Sequence, residues 1–325
     1  MKILITGFSG FVSEYFLEYL NTVETNCSVL GVSRSMPQFD LKQFNNLQIE
    51  FKSIDLLNRS EVEKVITEFQ PEFILHLASV SSVAQSWQTP YDSFVNNTNI
   101  FLNIVDQVRI LKLQCRILSI GSSEEYGEVD QAFLPLTEKH LILPLNPYAV
   151  ARISQEMLSK IYADGYNMDI IMTRSFNHIG PRQKEKFVIS SFAKQLVTMS
   201  KNDTTIKKIT TGNLNVVRDF LDVRDVAKAY YLLLKNGTKG EVYNICSGNG
   251  TMLRDIITTM SSILNVEVSI ELNPLLVRPN ENKKIIGSYE KVKTHLGWQP
   301  TISLEKSLKD ILDYWQKELN TTTFV

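Results

Sequence analysis

A tyrosine and an arginine four residues apart, Tyr148 and Arg152, are the residues of this chain best suited to proton transfer. They lie in a segment that predicts a helix from Pro147, and residues four apart share one face of a helix. A cation beside a phenol stabilises the phenolate, which favours proton exchange near neutral pH. Ser122, at the end of a predicted strand, has a hydroxyl that can hydrogen-bond the same substrate oxygen. Helical tyrosines are most often packed aromatics, but this combination favours an acid–base site.

A glycine-containing turn early in the sequence is typical of a dinucleotide site. Gly7 follows an apolar strand and permits a tight turn, and Gly10 lets the backbone approach a pyrophosphate at the start of the next helix. Ordinary glycine turns are common, but the position of this one between a strand and a helix strengthens the interpretation. The residues predicted to bind the dinucleotide here are Gly7, Phe8, Ser9, Gly10, Phe11 and Val12.

The ends of the next predicted strands supply the rest of the cofactor site. Ser33 and Arg34 follow the second strand, where an NAD-selective site commonly has an acidic residue for the ribose hydroxyls. An arginine there can accommodate a 2′-phosphate, which mildly favours NADP and leaves NAD open; a solvated surface arginine is an equal alternative. The remaining predicted contacts follow the third and fourth strands: Asp55 and Leu56, placed to border the adenine, and Leu77 and Ala78.

Short apolar strands alternate with amphipathic helices through the first half of the chain, a pattern that predicts parallel strands joined by right-handed crossovers. The predicted fold class is α/β, a doubly wound parallel (Rossmann) sheet with a smaller α/β lobe. We place the NAD(P)-binding domain at 1–176 and a second, smaller lobe at 177–325, with some strand exchange between them. Ligands of such sheets bind at the carboxyl ends of the strands, so we expect the lobe to close over that edge.

The bounds of the predicted elements follow from the hydrophobic periodicity. The predicted strands are Lys2–Thr6, Ser28–Ser33, Ile49–Ile54, Phe73–Leu77, Arg116–Ile120, Met168–Thr173 and Val242–Cys246. The predicted helices are Phe11–Leu20, Ser60–Gln70 with Ser60 as its cap, Tyr91–Leu113, Pro147–Ala163, Phe187–Met199, Val226–Leu234, Leu253–Leu264 and Leu304–Leu319.

The composition excludes several classes of protein. The chain has 325 residues, of which 43% are hydrophobic and 21% charged, typical of a globular protein of about two units. Its net charge of −1 gives no overall positive field that would attract nucleic acid or an anionic membrane, so we expect binding to neither. Any phosphate must therefore be bound by groups concentrated at one site. The three cysteines and four histidines lack disulfide or metal-ligand spacing, which is typical of a reducing cytosol. No segment predicts a signal peptide or a membrane span, and we expect a cytoplasmic protein.

These motifs together resemble the extended short-chain dehydrogenase/reductase superfamily, the nucleotide-sugar epimerases and dehydratases. The resemblance covers essentially the whole chain and rests on Gly7-x-x-Gly10, Ser122…Tyr126-Gly127 and Asn146-Pro-Tyr148-x-x-x-Arg152. Later segments are similar to the branch that contains GDP-mannose 4,6-dehydratase and GDP-6-deoxy-4-keto-hexose reductase. These segments are Arg174–Pro181, Gly212–Leu214, Val217–Val223 and Val277–Pro279, and the runs Ile120–Gly127 and Asn177–Gly180 resemble the reductase most.

The resemblance implies a role for each catalytic candidate. Tyr148 would be the acid or base for the oxygen at carbon 4 of a hexose, Ser122 would polarise that oxygen, and a nicotinamide would exchange the hydride. The family position that matches Arg152 is a lysine that also binds the nicotinamide ribose; arginine keeps the charge, but its planar fork differs from an ammonium. Glu124 matches the base that removes the carbon-5 proton in the dehydratases, and a hydrogen-bonded loop carboxylate is its alternative interpretation.

Three residues match positions that bind the diphosphate of a nucleotide sugar: Asn177, Arg218 and Arg278. Two guanidinium groups suit a diphosphate and would supply the local positive charge that the composition lacks. The resemblance thus implies that the lobe at 177–325 is the nucleotide-sugar-binding lobe. Without it, either arginine would be interpreted as a surface residue. Asn97 matches the structural asparagine of the family.

Three functions compete at this point. The favoured one is an NAD(P)-dependent oxidoreductase that reduces a GDP-4-keto-6-deoxy-hexose at carbon 4. The first alternative is a GDP-mannose 4,6-dehydratase-like lyase or a GDP-sugar (hexose or heptose) 4-dehydrogenase. The second is a non-catalytic nucleotide-binding paralogue, suggested by the arginine at position 152. Family members commonly dimerise through two helices, which here implies a homodimer with a four-helix interface built from Tyr91–Leu113 and Pro147–Ala163.

Overall fold

The secondary structure alternates between strands and helices for most of the chain. The structure is a computed structural model and describes residues 1–201, 207–278 and 280–321. In these residues the strands are β1 (Lys2–Thr6), β2 (Cys27–Ser33), β3 (Leu47–Ser53), β4 (Phe73–His76), β5 (Arg116–Ser122), β6 (Asp169–Ser175), β7 (Asn177–Ile179), β8 (Lys208–Thr211), β9 (Val217–Asp222), β10 (Val242–Ile245), β11 (Gly250–Met252), β12 (Ser269–Leu272) and β13 (Lys284–Ile285). The helices are α1 (Phe11–Val23), α2 (Arg59–Phe69), α3 (Val83–Gln88), α4 (Pro90–Phe94), α5 (Ile100–Ile110), α6 (Pro147–Gly165), α7 (Val188–Ser200), α8 (Val223–Asn236), α9 (Leu253–Leu264), α10 (Glu290–Leu296) and α11 (Leu304–Thr321).

Seven parallel strands form the central sheet, in the order β10-β6-β5-β4-β1-β2-β3. The chain runs outward from β1 first in one direction and then in the other, so the predicted doubly wound Rossmann sheet is confirmed. Because all seven strands are parallel, their carboxyl ends meet at one edge, where ligands of such sheets bind. Helices cover both faces, which explains why a strand such as β1 is a continuous apolar run instead of an alternating one.

The helical layers bury two separate apolar clusters. On one face α1 and α8 pack together through side chains such as Phe16 and Tyr230. On the other face α2, α5 and α6 contribute Val65, Ile104 and Tyr162. Among the helices of the described ranges, none is both long and apolar enough to cross a membrane.

The chain after residue 176 contributes to the central sheet and also forms a layer of its own. Strand β10 pairs with β6 at the edge of the sheet, and α8 covers one face. Strands β7, β9, β11 and β13 form a four-stranded sheet, while α7, α9 and α11 enclose a third cluster around Phe192, Ile256 and Ile311. The division into 1–176 and 177–325 stays a prediction. Pro279, the last residue of one predicted motif, lies outside the described residues.

The predicted single helix over Tyr91–Leu113 is wrong in detail. It consists of α4, a π-helical turn at Val95–Asn99, and α5, which ends earlier than predicted. Within the π-helical turn, Nδ2 of Asn97 donates to the carbonyl oxygen of Ser93 at 2.5 Å. Its Oδ1 accepts from the backbone N–H of Val80 at 3.2 Å. The buried Asn97 side chain therefore ties this turn to the loop that follows β4.

The predicted cap of α2 is also wrong. Asn58 caps this helix, because its Oδ1 accepts hydrogen bonds from the backbone N–H and the hydroxyl of Ser60, at 3.2 and 2.7 Å. Ser60 lies inside the first turn. Both residue types favour the cap position, so the sequence alone could not separate two candidates only two residues apart.

A buried ion pair fixes α6 to the sheet. Arg174 on β6 donates from Nε and Nη2 to the two carboxylate oxygens of Glu156 on α6, at 2.9 and 2.7 Å. Arg174 is 6% exposed and Glu156 is 5% exposed. Removing one partner of such a pair would leave an unpaired buried charge, which is strongly unfavourable. The position of α6 over β5 and β6 is therefore tightly constrained.

Candidate active site

Helix α6 carries both residues of the predicted acid–base pair in its first two turns. Asn146 caps the helix by accepting a hydrogen bond from the backbone N–H of Ala149 at 2.8 Å, and Pro147 occupies the first helical position. The Nε of Arg152 donates to the hydroxyl oxygen of Tyr148 at 3.1 Å. Tyr148 is 6% exposed and Arg152 is 4% exposed. The pairing of a phenol and a cation along one helical face is therefore present.

Arg152 is also held by β5 and by the next turn of its own helix. Its Nη1 donates to the carbonyl oxygen of Ile120 at 3.0 Å and to Oε1 of Gln155 at 2.7 Å. Sequence reasoning missed Gln155; its only signal is a position three residues after Arg152, where helical side chains are neighbours. Burial, together with the Arg152 cation, lowers the pKa of His76 to about 3, so this buried histidine stays neutral beside the guanidinium.

Ser122 ends β5 at the carboxyl edge of the sheet. Its hydroxyl oxygen accepts from the backbone N–H of Glu124 at 3.2 Å, and its own N–H donates to Oε1 of Glu125 at 2.6 Å. Burial and the neighbouring Glu156 raise the pKa of Glu125 well above its ordinary value. Because the Ser122 oxygen acts only as an acceptor in this contact, its hydroxyl hydrogen remains available to a substrate oxygen.

The carboxylate of Glu124 lies at the same edge. Its Oε2 accepts a hydrogen bond from Nδ2 of Asn146 at 2.8 Å, so the residue that caps α6 also positions Glu124. Burial lowers the pKa of Arg218, and the negative charges of Glu124 and Glu281 oppose that effect. Glu124 is thus within electrostatic range of Arg218, which connects the loop after β5 to the predicted diphosphate-binding residues.

The turn between β1 and α1 has the geometry of a phosphate cradle. Gly7 has a φ angle of +66°, and a Cβ at this position would lie 2.7 Å from the backbone nitrogen of Ala78. A Cβ on Gly10 would lie 2.9 Å from the carbonyl oxygen of Gly7. Gly10 occupies the cap position of α1, where no side chain hydrogen-bonds the first N–H groups. Such N–H groups bind anions, so the turn fits the phosphates of a dinucleotide.

The structure places Phe8, another residue of this turn, inside the core. Its side chain is fully buried beneath Gly31, where a Cβ would lie 2.2 Å from the Phe8 ring. Its backbone N–H donates to the carbonyl oxygen of Val32 at 3.2 Å. Phe8 therefore supports the turn from below, and its side chain cannot contact a ligand. The other predicted residues of the turn are partly exposed at the same edge: Ser9, Phe11 and Val12.

The remaining predicted cofactor residues follow β2, β3 and β4, whose ends lie beside the glycine turn. Ser33 is buried and donates to the carbonyl oxygen of Ser35 at 2.7 Å, whereas Arg34 is exposed. The side chain of Leu56 packs into the cluster beneath α2 and α5, so the leucine side chain faces the core. The others are exposed or partly exposed at this edge: Asp55, Leu77 and Ala78.

The three predicted diphosphate residues lie on or beside the four-stranded sheet. Asn177 belongs to β7, Arg218 to the neighbouring β9, and Arg278 follows β12. Nη2 of Arg218 and Nη1 of Arg278 each lie 3.8 Å from Oε1 of Glu281. Sequence reasoning missed Glu281, whose only signal is a position three residues after Arg278. Its carboxylate brings the two guanidinium groups together and offsets part of their positive charge.

One edge of the sheet therefore gathers a glycine turn at a helix start, a phenol beside a guanidinium, a free hydroxyl hydrogen and a carboxylate. A phenol supported by a cation can donate or accept a proton, and a hydroxyl can stabilise negative charge that develops on a neighbouring oxygen. Within the residues that the structure describes, no three His, Cys, Asp or Glu side chains are grouped as metal ligands.

The chain is similar to known proteins over nearly its whole length. It is 32% identical to GDP-6-deoxy-D-mannose reductase of Pseudomonas aeruginosa over 318 residues, 98% of each chain. The structure of RMD from Pseudomonas aeruginosa complexed with NADPH matches with a TM-score of 0.84 and 30% identity, over 98% of this chain and 99% of that chain. UDP-glucose 4-epimerase from Thermotoga maritima, solved with UDP-glucose, matches with a TM-score of 0.87 and 26% identity, over 98% and 100% of the two chains.

A family model gives the same result. The model described as GDP-mannose 4,6 dehydratase matches residues 4–311, which is most of the chain. The match includes the glycine turn, the end of β5 and the start of α6, where the motifs of the resemblance lie. The resemblance inferred from those motifs is confirmed, and the chain belongs to the GDP-mannose 4,6 dehydratase family.

Proposed function

We propose that this protein is an NAD(P)-dependent oxidoreductase that reduces the carbon-4 ketone of a GDP-4-keto-6-deoxy-hexose. The observation that carries the proposal is the 3.1 Å hydrogen bond between Nε of Arg152 and the Tyr148 hydroxyl, at the edge that also holds the glycine turn. The similarity to a curated GDP-6-deoxy-D-mannose reductase supports this choice among the activities of the family.

Three residues of this chain would have separate roles in the reduction of the ketone. Tyr148 holds the proton that the carbonyl oxygen takes up when carbon 4 is reduced, and Ser122 donates a hydrogen bond to the same oxygen. Arg152 stabilises the phenolate that remains on Tyr148. When bound, the nicotinamide supplies the hydride. The ketone gains one hydride and one proton and becomes an alcohol, so the step balances.

The same proposal extends to the cofactor and to the nucleotide. NADPH is the preferred reductant, because the exposed Arg34 after β2 can pair with a 2′-phosphate. A relative has been solved with NADPH, which supports this preference. The diphosphate of the GDP-sugar is bound by the guanidinium groups of Arg218 and Arg278 with help from Asn177, and this binding requires the diphosphate to displace Glu281 from one or both arginines.

A GDP-mannose 4,6-dehydratase is the second candidate, because one observation favours it specifically. Glu124 lies at the site as a carboxylate, positioned by its 2.8 Å hydrogen bond from Asn146. Elimination of water requires a base for the carbon-5 proton, and Glu124 is the group that could serve. Reduction requires no such base. The two candidates therefore differ in the role of Glu124. In a dehydratase its carboxylate removes the carbon-5 proton, and in a reductase it exchanges no proton with the substrate.

The first prediction concerns the reductase activity itself. We expect the protein to oxidise NADPH when it is mixed with GDP-4-keto-6-deoxy-mannose. The oxidation of NADPH should be faster than that of NADH under the same conditions. Tyr148→Phe removes the proton donor and should lower kcat roughly a thousandfold. The measurement is the loss of reduced-nicotinamide absorbance, with cofactor binding verified separately. Binding of the cofactor without any oxidation would overturn the proposal in favour of a non-catalytic paralogue, and NADPH formed from an unmodified GDP-sugar would indicate a 4-dehydrogenase.

The second prediction separates reductase from dehydratase. Glu124→Gln keeps the shape of the side chain and its acceptor for Asn146 but removes the base, so we expect kcat for reduction to change less than about tenfold. The exposed Glu128 provides a matched control as Glu128→Gln. Mass spectrometry of the products tests the alternative: conversion of GDP-mannose by the wild type, lost in Glu124→Gln, would establish a dehydratase.

We also propose that the protein is a homodimer whose interface includes α6. Val150, Met157 and Ile161 are 44%, 43% and 62% exposed and recur at helical spacing along one face of this helix. Tyr91 on the adjacent α4 is 78% exposed. Apolar side chains exposed together on neighbouring helices are typical of an interface, and two copies of this pair would form a four-helix contact.

The third prediction tests that interface. Ile161→Glu would place a charge in the proposed contact, so we expect this variant to sediment as a monomer while the wild type sediments as a dimer. Ile263→Glu is the matched control, because Ile263 is a 36% exposed isoleucine on α9, away from the proposed interface. A wild type that is monomeric by analytical ultracentrifugation at micromolar concentration would refute the proposal.

A further inference from the structure

We infer that Gln155 is a positioning residue that holds the guanidinium of Arg152 in the orientation in which its Nε faces Tyr148. The inference rests on the proposed function for its relevance to catalysis, but its geometry is independent of any substrate. Gln155 is 1% exposed, and its side chain makes contacts at both ends. None of these contacts follows from the family motif, in which position 152 is usually a lysine.

The Gln155 carboxamide is fully hydrogen-bonded between α6 and β5. Its Oε1 accepts from Nη1 of Arg152 at 2.7 Å. Its Nε2 donates to the hydroxyl oxygen of Ser119 at 2.9 Å and to the carbonyl oxygen of Ile120 at 3.1 Å. The hydroxyl of Ser159, one turn further along α6, lies 2.9 Å from the same Ser119 oxygen. The amide orientation is therefore determined by β5, and it presents an acceptor to Arg152.

An arginine needs this acceptor more than a lysine does. An ammonium presents three donors around a single axis, so rotation about its last bond does not change the donors that it offers. A guanidinium is a planar fork, and its Nε faces Tyr148 only when the plane is correctly oriented. Nη1 is anchored twice, by Ile120 and Gln155, whereas the described residues offer no hydrogen-bond acceptor to Nη2. Without Gln155, a single carbonyl oxygen would hold Nη1, and the only other hydrogen bond described for the guanidinium would be the one to Tyr148 itself.

The neutrality of Gln155 matters as much as its geometry. A carboxylate at this position would also bind the guanidinium, but it would cancel the charge that stabilises the Tyr148 phenolate. Two titratable groups that interact electrostatically with Arg152 are His76 on β4 and Tyr230 on α8. The carboxylate of Glu156, one turn further along α6, is paired with Arg174. Burial lowers the pKa of His76 to about 3 and raises that of Tyr230, so both are neutral near pH 7. Neither His76 nor Tyr230 therefore offsets the positive charge with which Arg152 acts on Tyr148.

The experiment is a spectroscopic titration of the Tyr148 phenol in the full chain. The ultraviolet spectrum of each protein is compared with that of its own Tyr148→Phe counterpart, so that the difference reports Tyr148 alone. Gln155→Met keeps the side-chain volume but removes the acceptor. We expect the midpoint of phenolate formation to move upward by about one pH unit and kcat for reduction to fall roughly tenfold. Ser119→Ala, which loosens the amide without removing it, should shift the midpoint in the same direction by less.

The controls separate positioning from general structural damage. In an Arg152→Lys background, Gln155→Met should leave the midpoint of phenolate formation unchanged, because an ammonium does not need the Gln155 acceptor to orient it. Gln195→Met removes another side chain that hydrogen-bonds a strand backbone, Thr210 on β8, and should change only stability. An unshifted midpoint in folded Gln155→Met, or an equal shift in both backgrounds, would overturn the inference. Because the titration uses no substrate, failure of the proposed reductase activity would be recognised separately, in the turnover assay.

Discussion

The hydrogen bonding of one buried cation, the guanidinium of Arg152, is the constraint on which the candidate site depends. A charged group that is 4% exposed must find acceptors within the protein, because burying an unpaired charge is strongly unfavourable. Those acceptors are the Tyr148 phenol, the Ile120 carbonyl oxygen and the Gln155 carboxamide. The hydrogen bonds that the Arg152 guanidinium requires therefore also fix the position of the Tyr148 hydroxyl. The ion pair between β6 and α6 maintains the helix position that this arrangement requires.

The parallel sheet explains why groups far apart in the sequence meet around this cation. Strand β1, which leads into the glycine turn, and strand β5, whose last residue is Ser122, end at the same edge of the sheet. Helix α6 begins there because Asn146 caps it. Asn146 also binds Glu124, so a single side chain determines the start of the helix and the orientation of the neighbouring carboxylate. Beside the four-stranded sheet, Glu281 draws two arginines together. A chain with a net charge of −1 can thus concentrate positive charge locally without a basic surface.

The features that the sequence predicted are those that depend on local spacing. Strand–helix alternation predicted the sheet, and the four-residue spacing predicted the contact between Tyr148 and Arg152. The features that it missed depend on contacts between distant segments. Gln155 acquires its role only through β5, and the burial of Phe8 becomes visible only when Gly31 on the neighbouring strand lies above its ring. The predicted bounds of helices were wrong where a side chain takes a hydrogen bond that the helix backbone would otherwise make, as Asn97 does in the π-helical turn.

The central claim is that Tyr148 and Arg152 act together as the proton donor to a ketone that is being reduced. The most direct measurement is single-turnover oxidation of bound NADPH after rapid mixing with GDP-4-keto-6-deoxy-mannose, for the wild type and for Arg152→Met. Loss of the cation should slow the chemical step roughly a hundredfold while the cofactor still binds. Equal single-turnover rate constants for the two proteins would contradict the account.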